Sequence, residues 1–364
     1  MQDFPPMPEP CIILTHGLLD SRQAKTCHGI LRGSQRFRAV AVIDYRFAGR
    51  DAGEVMGGRA IGVGVWSSVA DYFSSSPKER PLYCLVGVAL AGGRLPDAFR
   101  EQLLEALNHG LSLVNGLHTF LSDDPVFAAR AAVRGLQLID VRKPRLRHAL
   151  RFWTGDIYTV KAPIIAVLGL DCAIGKRTTA RWLLDACQKA GVYAEMIYTG
   201  QTGWMQGVRY GFIFDSTLND FISGELEGAI MACANDCKPD LIVIEGQSGL
   251  RNPSGPAGSE IILSGNARGI ILQYAPTRSY YEGTRIPLPS IESEIALIRM
   301  YGAEVLAVTI SEEGLDDEQA QAVQAALAQR TGLPVFRPLA ANTQKDSAAV
   351  AVVLRRWMEQ QFLQ

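Results

Sequence analysis

The chain has 364 residues, 48% of them hydrophobic and 20% charged, with a formal net charge of -1 and a pI near 6.5. This is ordinary globular composition, long enough for two full cores, and it leaves no overall basic footprint for nucleic acid. Seven cysteines without framework-like spacing argue for a reducing compartment, no apolar stretch approaches the roughly 20 residues of a membrane span, and the N-terminus lacks the marks of a secretory signal, so a soluble cytoplasmic protein is expected.

After a proline-rich start, Cys11 to Thr15 reads as a buried strand, Lys25 to Arg32 as a short helix and Phe37 to Asp44 as a second strand. A glycine-rich stretch from Gly49 to Gly64, a strand at Leu82 to Val88 and an amphipathic helix from Pro96 to His109 follow. Alternating strands and helices imply a parallel sheet covered on both faces, so residues 1–155 are expected to form a Rossmann-like domain. The first strand is not followed by Gly-x-Gly-x-x-Gly, and Gly57-Gly58, Gly62 and Gly64 imitate that pattern in the wrong place; a nicotinamide dinucleotide is therefore not expected. His16 and His28 sit near predicted element ends, where a parallel sheet gathers its ligands, but neither has a nucleophile at base-like spacing. Arg142-Lys143-Pro144-Arg145, continuing to Arg147 and Arg151, reads as a solvated basic linker, with an anion-binding role as the alternative.

Ile164 to Leu168 is an apolar run leading into a glycine-bounded loop that ends in Gly175-Lys176, with helix-forming sequence directly after it. That order is a P-loop: backbone N–H groups wrap a phosphate, the helix N-terminus adds partial positive charge and the lysine adds a full one. Gly169, Asp171, Cys172, Ala173, Ile174, Gly175, Lys176, Arg177, Thr178 and Thr179 are the expected phosphate-site residues. Two features depart from Gly-x-x-x-x-Gly-Lys-Ser/Thr: five residues separate Gly169 from Gly175, and Arg177 stands where the Mg²⁺-binding hydroxyl usually follows the lysine. Arg177 therefore either displaces the metal or moves its ligation to Thr178.

Residues 156–364 are expected to form a P-loop NTPase-like domain built on a doubly wound parallel sheet. A helix from Thr178 to Ala190 and a strand from Ala194 to Tyr198 precede Thr199-Gly200-Gln201-Thr202-Gly203, a polar loop at a strand C-terminal end, where open α/β sheets bind ligands. Gln201 and Thr202 are the substrate-binding candidates there. Asp215 and Asp220 flank a turn into a helix running to Cys233. Leu241 to Ile244 then delivers Glu245 beside the phosphates, where a carboxylate holds Mg²⁺ or takes a proton. Strands at Gly269 to Tyr274, Glu304 to Ile310 and Pro334 to Pro338, with helices at Ile291 to Tyr301, Asp316 to Arg330 and Ala348 to Phe362, complete the sheet. Arg278 follows the first of these strands, and its planar fork suits a carboxylate or phosphate.

Gly-Leu-Asp-Cys-Ala-Ile-Gly-Lys with a late Thr-Thr, followed downstream by Ile-Glu-Gly-Gln-Ser-Gly, resembles the dethiobiotin synthetase and cobyric acid synthase branch of P-loop proteins. More closely, the whole chain resembles the DUF1611 family, through Ala24-Lys25-Thr26-Cys27-His28-Gly29, the Gly-x-Asp-Cys-x-x-Gly-Lys-x-Thr-Thr loop, Thr199 to Gly203, and Asp-Phe-x-x-Gly-Glu-x-Glu from Asp220 to Glu227. That resemblance implies a D-glutamate N-acetyltransferase-like enzyme that uses acetyl-CoA, whose pyrophosphate and 3′-phosphate require no metal, one of them being neutralised by Lys176 with Arg177. An amine must lose its proton before it attacks a thioester. Glu245 is the expected base, with Asp215, Asp220 or His28 as fallbacks, and Arg278 the expected holder of the acceptor's carboxylate. The competing reading is an ATP- and Mg²⁺-dependent ligase of the dethiobiotin synthetase type, in which Thr178 and Glu245 hold the metal. A small amino acid is the expected partner in either case, and a homo-oligomer the expected assembly.

Overall fold

The computed structural model of the chain describes residues 7–340 and 343–361. Most of the proline-rich start, up to Pro6, and Phe362 at the end of the last predicted helix lie outside the described residues. Two compact units make up the chain. The first contains the described residues up to Pro144 together with Gly200–Val208, and the second contains Arg145–Thr199 and the described residues from Arg209 onward.

In the first unit the order is β1 (Glu9–Leu14), α1 (Lys25–Leu31), β2 (Phe37–Ile43), α2 (Ala52–Val55), β3 (Gly64–Trp66), α3 (Val69–Ser74), β4 (Tyr83–Val86), α4 (Asp97–Asn108), β5 (Ser112–Asn115), α5 (Pro125–Arg134) and β6 (Leu138–Asp140). Its six strands are all parallel and lie in the order β3-β2-β1-β4-β5-β6. Side chains alternate between two apolar layers with the period of two that a pleated strand imposes. Ile12, Leu14, Ile43 and Val86 meet Phe99, Leu103 and Phe127 on one face; Cys11, Ile13, Val42 and Leu85 meet Cys27 and Ile30 on the other.

The second unit runs β7 (Ile164–Gly169), α6 (Lys176–Lys189) and β8 (Ala194–Tyr198), and then sends α7 (Gln201–Met205) to the first unit. It resumes with β9 (Tyr210–Gly211), α8 (Asn219–Cys237), β10 (Leu241–Glu245), α9 (Ser259–Leu263), β11 (Gly269–Tyr274), α10 (Ile291–Met300), β12 (Glu304–Ile310), α11 (Asp317–Thr331), β13 (Val335–Phe336) and α12 (Gln344–Gln361). Seven parallel strands lie in the order β13-β12-β11-β7-β10-β8-β9. β7 and β10 are buried along their whole length, as the continuous apolar runs of a sheet covered on both faces require. Register puts Gln273 of β11 opposite Gly169 and Glu245 of β10 opposite Val167, so the loop after β7 leaves the sheet between those two side chains.

The segment after Pro144 belongs to the second unit, and α8 explains why. Glu227 accepts hydrogen bonds from the N–H groups of Thr154, Gly155 and Ile157 at 2.7–3.1 Å and from the Thr154 hydroxyl at 3.0 Å. Glu225 accepts from Arg151 N at 2.8 Å and Arg145 Nη2 at 3.1 Å. Gly224, one turn before Gly228, lets the chain lie directly on the helix; a Cβ on Gly224 would sit 2.2 Å from the Arg151 carbonyl oxygen. The basic stretch is solvent-exposed from Lys143 to Ala149, as a solvated linker should be, yet it is tied down: Arg145 pairs with Glu225, Lys143 Nζ donates to Ser122 Oγ at 2.8 Å, and Arg142 alone is buried and donates to the Gly116 carbonyl. Among the described residues no helix is long and apolar enough to cross a membrane.

Candidate functional site

The phosphate loop occupies the C-terminal end of β7. Ala173 and Gly175 both take left-handed backbone conformations, at φ 52° and 103°, and Gly175 is the N-cap of α6. Gly175, without a Cβ, meets no penalty there, whereas Ala173 does; the helix starts at Lys176, two residues before the predicted Thr178. Its first-turn N–H groups and macrodipole face the loop, which is what an anion requires. Lys176 is buried, and its ammonium donates to the carbonyls of Asp171 at 2.5 Å and Ser248 at 2.8 Å.

Asp171 does not offer its carboxylate outward. The side chain is 1% exposed; it accepts from Arg278 Nη1 and Glu282 N, both at 2.8 Å, and from Asn252 Nδ2 at 3.0 Å. Arg278 also donates to the Cys172 carbonyl at 2.7 Å. The expected substrate fork is thus turned onto the loop itself. Asp171, Glu282 and Glu313 stand 2.8, 3.2 and 4.0 Å from its guanidinium, and an acceptor carboxylate there would be a fourth anion around one cation. Nη1 of Arg278 thus positions the loop, while its buried Nη2 makes no hydrogen bond among the described residues. Thr179 is committed in the same way, donating at 2.5 Å to Gln273 Oε1, which also accepts from Thr309 Oγ1 at 2.6 Å.

On the other flank of β7, Glu245 is 5% exposed and lies at ion-pair distance from Arg177, 3.8 Å from Nη1 to Oε1. Thr199 N approaches the second carboxylate oxygen at 3.4 Å, and the Thr199 hydroxyl donates to the Glu245 carbonyl at 2.7 Å. Gln247 Nε2 closes this corner by donating to the Thr199 carbonyl at 2.9 Å. A buried carboxylate, a guanidinium and the phosphate loop are therefore contiguous, joined by β10, α6 and β8. Cys172 is half-buried, with Sγ 3.4 Å from Ser248 Oγ.

The other candidates have surroundings of their own. Asp215 and Asp220 are exposed, Asp215 in a short 3-10 turn and Asp220 in the first turn of α8. Neither has the burial that tunes a carboxylate for proton transfer. His28, in the first unit, puts Nε2 2.6 Å from the Leu19 carbonyl, which fixes that nitrogen as a donor. Burial, first, and the nearby Arg32 hold its pKa below the usual imidazole value. Gln201 and Thr202 are not loop residues but the first turn of α7, buried in the first unit, where the Thr202 and Thr26 hydroxyls meet at 2.9 Å. Asn252, Gln273, Ser248 and Glu282 were not legible as site residues: Ser248 and Asn252 lie in the polar loop beyond β10, Gln273 inside β11 and Glu282 in the segment after it. Among the described residues no group of three or more His, Cys, Asp or Glu is arranged to hold a metal ion.

Fold and site together define a P-loop protein carrying an additional Rossmann-like unit. Comparison with known families matches residues 45–144 to the DUF1611 N-terminal Rossmann-like domain and residues 151–345 to the DUF1611 C-terminal P-loop domain, both described as domains of unknown function. The chain belongs to the DUF1611 family. It is similar to a D-glutamate N-acetyltransferase of Tritonibacter scottomollicae, at 29% identity over 70% of this chain and 76% of that protein. A D-glutamate N-acetyltransferase of a Pseudoalteromonas species is 27% identical over 70% of this chain and 77% of its own. The crystal structure of a DUF1611 family protein from Anabaena variabilis superposes with a TM-score of 0.83 at 28% identity, covering 94% of this chain and 99% of that one.

Proposed function

We propose that this chain is an acetyl-CoA-dependent N-acetyltransferase acting on a small amino acid, D-glutamate. The observation that carries the reading is the similarity to two proteins named D-glutamate N-acetyltransferase, each matched over about three quarters of its own length. Local geometry fits it. Acetyl-CoA supplies the acetyl group as a thioester, and its phosphates suit the N–H groups of the loop and α6 together with Lys176. Glu245, buried next to the loop, is the base that takes the proton from the amine. The amine nitrogen then bonds to the thioester carbonyl carbon, the C–S bond breaks, and the thiolate leaves with a proton. Seven free cysteines suit a cytoplasmic setting.

A second reading, an ATP- and Mg²⁺-dependent ligase or kinase-like enzyme, draws on the P-loop description of the second unit. Purified protein incubated with D- and L-amino acids and either acetyl-CoA or ATP with Mg²⁺ separates the two. Free thiol released only with D-glutamate and acetyl-CoA is the expected result. ADP formation without thiol release would overturn the acetyltransferase reading.

A further inference from the structure

We infer that the phosphate site has replaced the divalent cation of ordinary P-loops with a built-in one, the Arg177 guanidinium, charge-balanced by Glu245. The inference rests on the reading that this loop holds a phosphorylated ligand. In ordinary P-loops the metal is held by the hydroxyl after the lysine and by an acidic residue from a neighbouring strand. Here the first position is Arg177, and the carboxylate at the end of the neighbouring strand β10, Glu245, lies 3.8 Å from that guanidinium. Both halves of the metal site are therefore joined to each other.

The later hydroxyls do not restore it. Successive helix residues point about 100° apart, so Thr178 does not take the position on α6 that Arg177 occupies. Thr179 donates its hydroxyl to Gln273 on the opposite flank of β7. A divalent ion placed between Arg177 and Glu245 would face a permanent cation, because guanidinium does not deprotonate in proteins. Mg²⁺ does not fit the donor set that is present.

This device selects a ligand class. Phosphoryl transfer relies on a metal to bridge β- and γ-oxygens as charge develops, whereas a diphosphate that is gripped but not cleaved needs only fixed positive charge and N–H donors. Lys176 and Arg177 supply that charge, so the site suits the intact diphosphate of a nucleotide-containing carrier.

The test is equilibrium binding of CoA and of ADP, by calorimetry, in EDTA and in millimolar MgCl₂, to the wild type, Arg177→Thr and Lys176→Ala. The wild type is expected to bind CoA with the same Kd in both buffers. Arg177→Thr is expected to lose about tenfold or more in EDTA and to recover with Mg²⁺, since it recreates the ordinary Gly-Lys-Thr sequence. Mn²⁺ added to the ADP complex should give a paramagnetic broadening of ligand resonances in the variant only. Wild-type affinity that appears only with Mg²⁺ overturns the inference and leaves the phosphate site standing. Failure of folded wild type to bind either ligand in either buffer overturns the phosphate reading itself.

Discussion

The carboxylate of Asp171 and the guanidinium of Arg278 meet at 2.8 Å with 1% and 8% of their side chains exposed, joining the phosphate loop to the segment after β11. Removing one partner of such a buried pair strands the other charge, at a cost of about 3–5 kcal/mol. Arg278→Ala should lower the denaturation midpoint of the second unit accordingly, and Asp171→Asn/Arg278→Gln should be less unstable than the sum of its single changes. Strict additivity in that cycle would show that the two residues act independently.

On the proposed reading, Lys176 balances charge on the ligand's phosphates. Its ammonium rests on two backbone carbonyls, which are weaker partners than a phosphate oxygen. Lys176→Ala should weaken CoA binding by about a hundredfold or more, measured by calorimetry. Unchanged affinity would remove the loop from the mechanism.

Glu245→Gln keeps the size of the side chain and removes its basicity. Its kcat at saturating acetyl-CoA should fall by about 10²–10⁴, whatever change in KM follows from freeing Arg177. A defect confined to KM would make Glu245 a binding residue rather than the base.

His28 is a half-buried donor to the Leu19 carbonyl in the first unit. His28→Gln should keep kcat within about threefold. Because burial lowers the folded-state pKa of His28, the unfolded chain binds the extra proton first as pH falls. The histidine's contribution is thus present above about pH 6.5 and lost as acidification proceeds through the lower folded value, so wild type should lose more stability than His28→Gln between pH 7 and 5. A collapse of kcat in a folded His28→Gln enzyme would reinstate the imidazole as catalyst.

Glu227 offers a second pH signature. Burial opposes its ionisation, yet the bonds from Thr154, Ile157 and Gly155 outweigh this and hold its pKa below the usual glutamate value. A depressed folded pKa gives stability that is complete above the unfolded value, about 4.3, and lost as pH falls through the folded one. The melting-temperature gap between wild type and Glu227→Gln should therefore be widest near neutrality and narrow below about pH 4. A gap independent of pH would mean that the charge is irrelevant to docking the 151–157 segment.

The phosphate loop was legible in the sequence because strand, loop and helix are contiguous and each has its own local signature. Glu245 was legible for the same reason, as an acid closing an apolar run. The partners of Asp171 were not: Asn252 and Arg278 lie 81 and 107 residues away, and no local pattern records which strand neighbours which. Strand order decides that β11 and β10 flank β7, and with it that Arg278 turns inward. β5 and β6 leave no strand signal in the sequence because they have four and three residues, too few for periodicity to register. Glu225 and Glu227 stood in a recognisable motif whose purpose appeared only once the 145–157 segment was seen lying on α8.

The placement of α7 bears on how the chain is made. Met205, fully buried, completes the layer that Cys27, Ile30 and Phe37 line, and Gln206 Nε2 donates to the Gly29 carbonyl at 2.6 Å. A ribosome delivering the chain from its N-terminus therefore releases six strands whose apolar seam stays open until residue 208 has emerged, with β7, α6 and β8 synthesised in between. A fragment ending at Pro144 should bind a hydrophobic dye that the same fragment, supplied with a 200–208 peptide, excludes. The N-terminal unit is encoded first but is completed only after the second has been started.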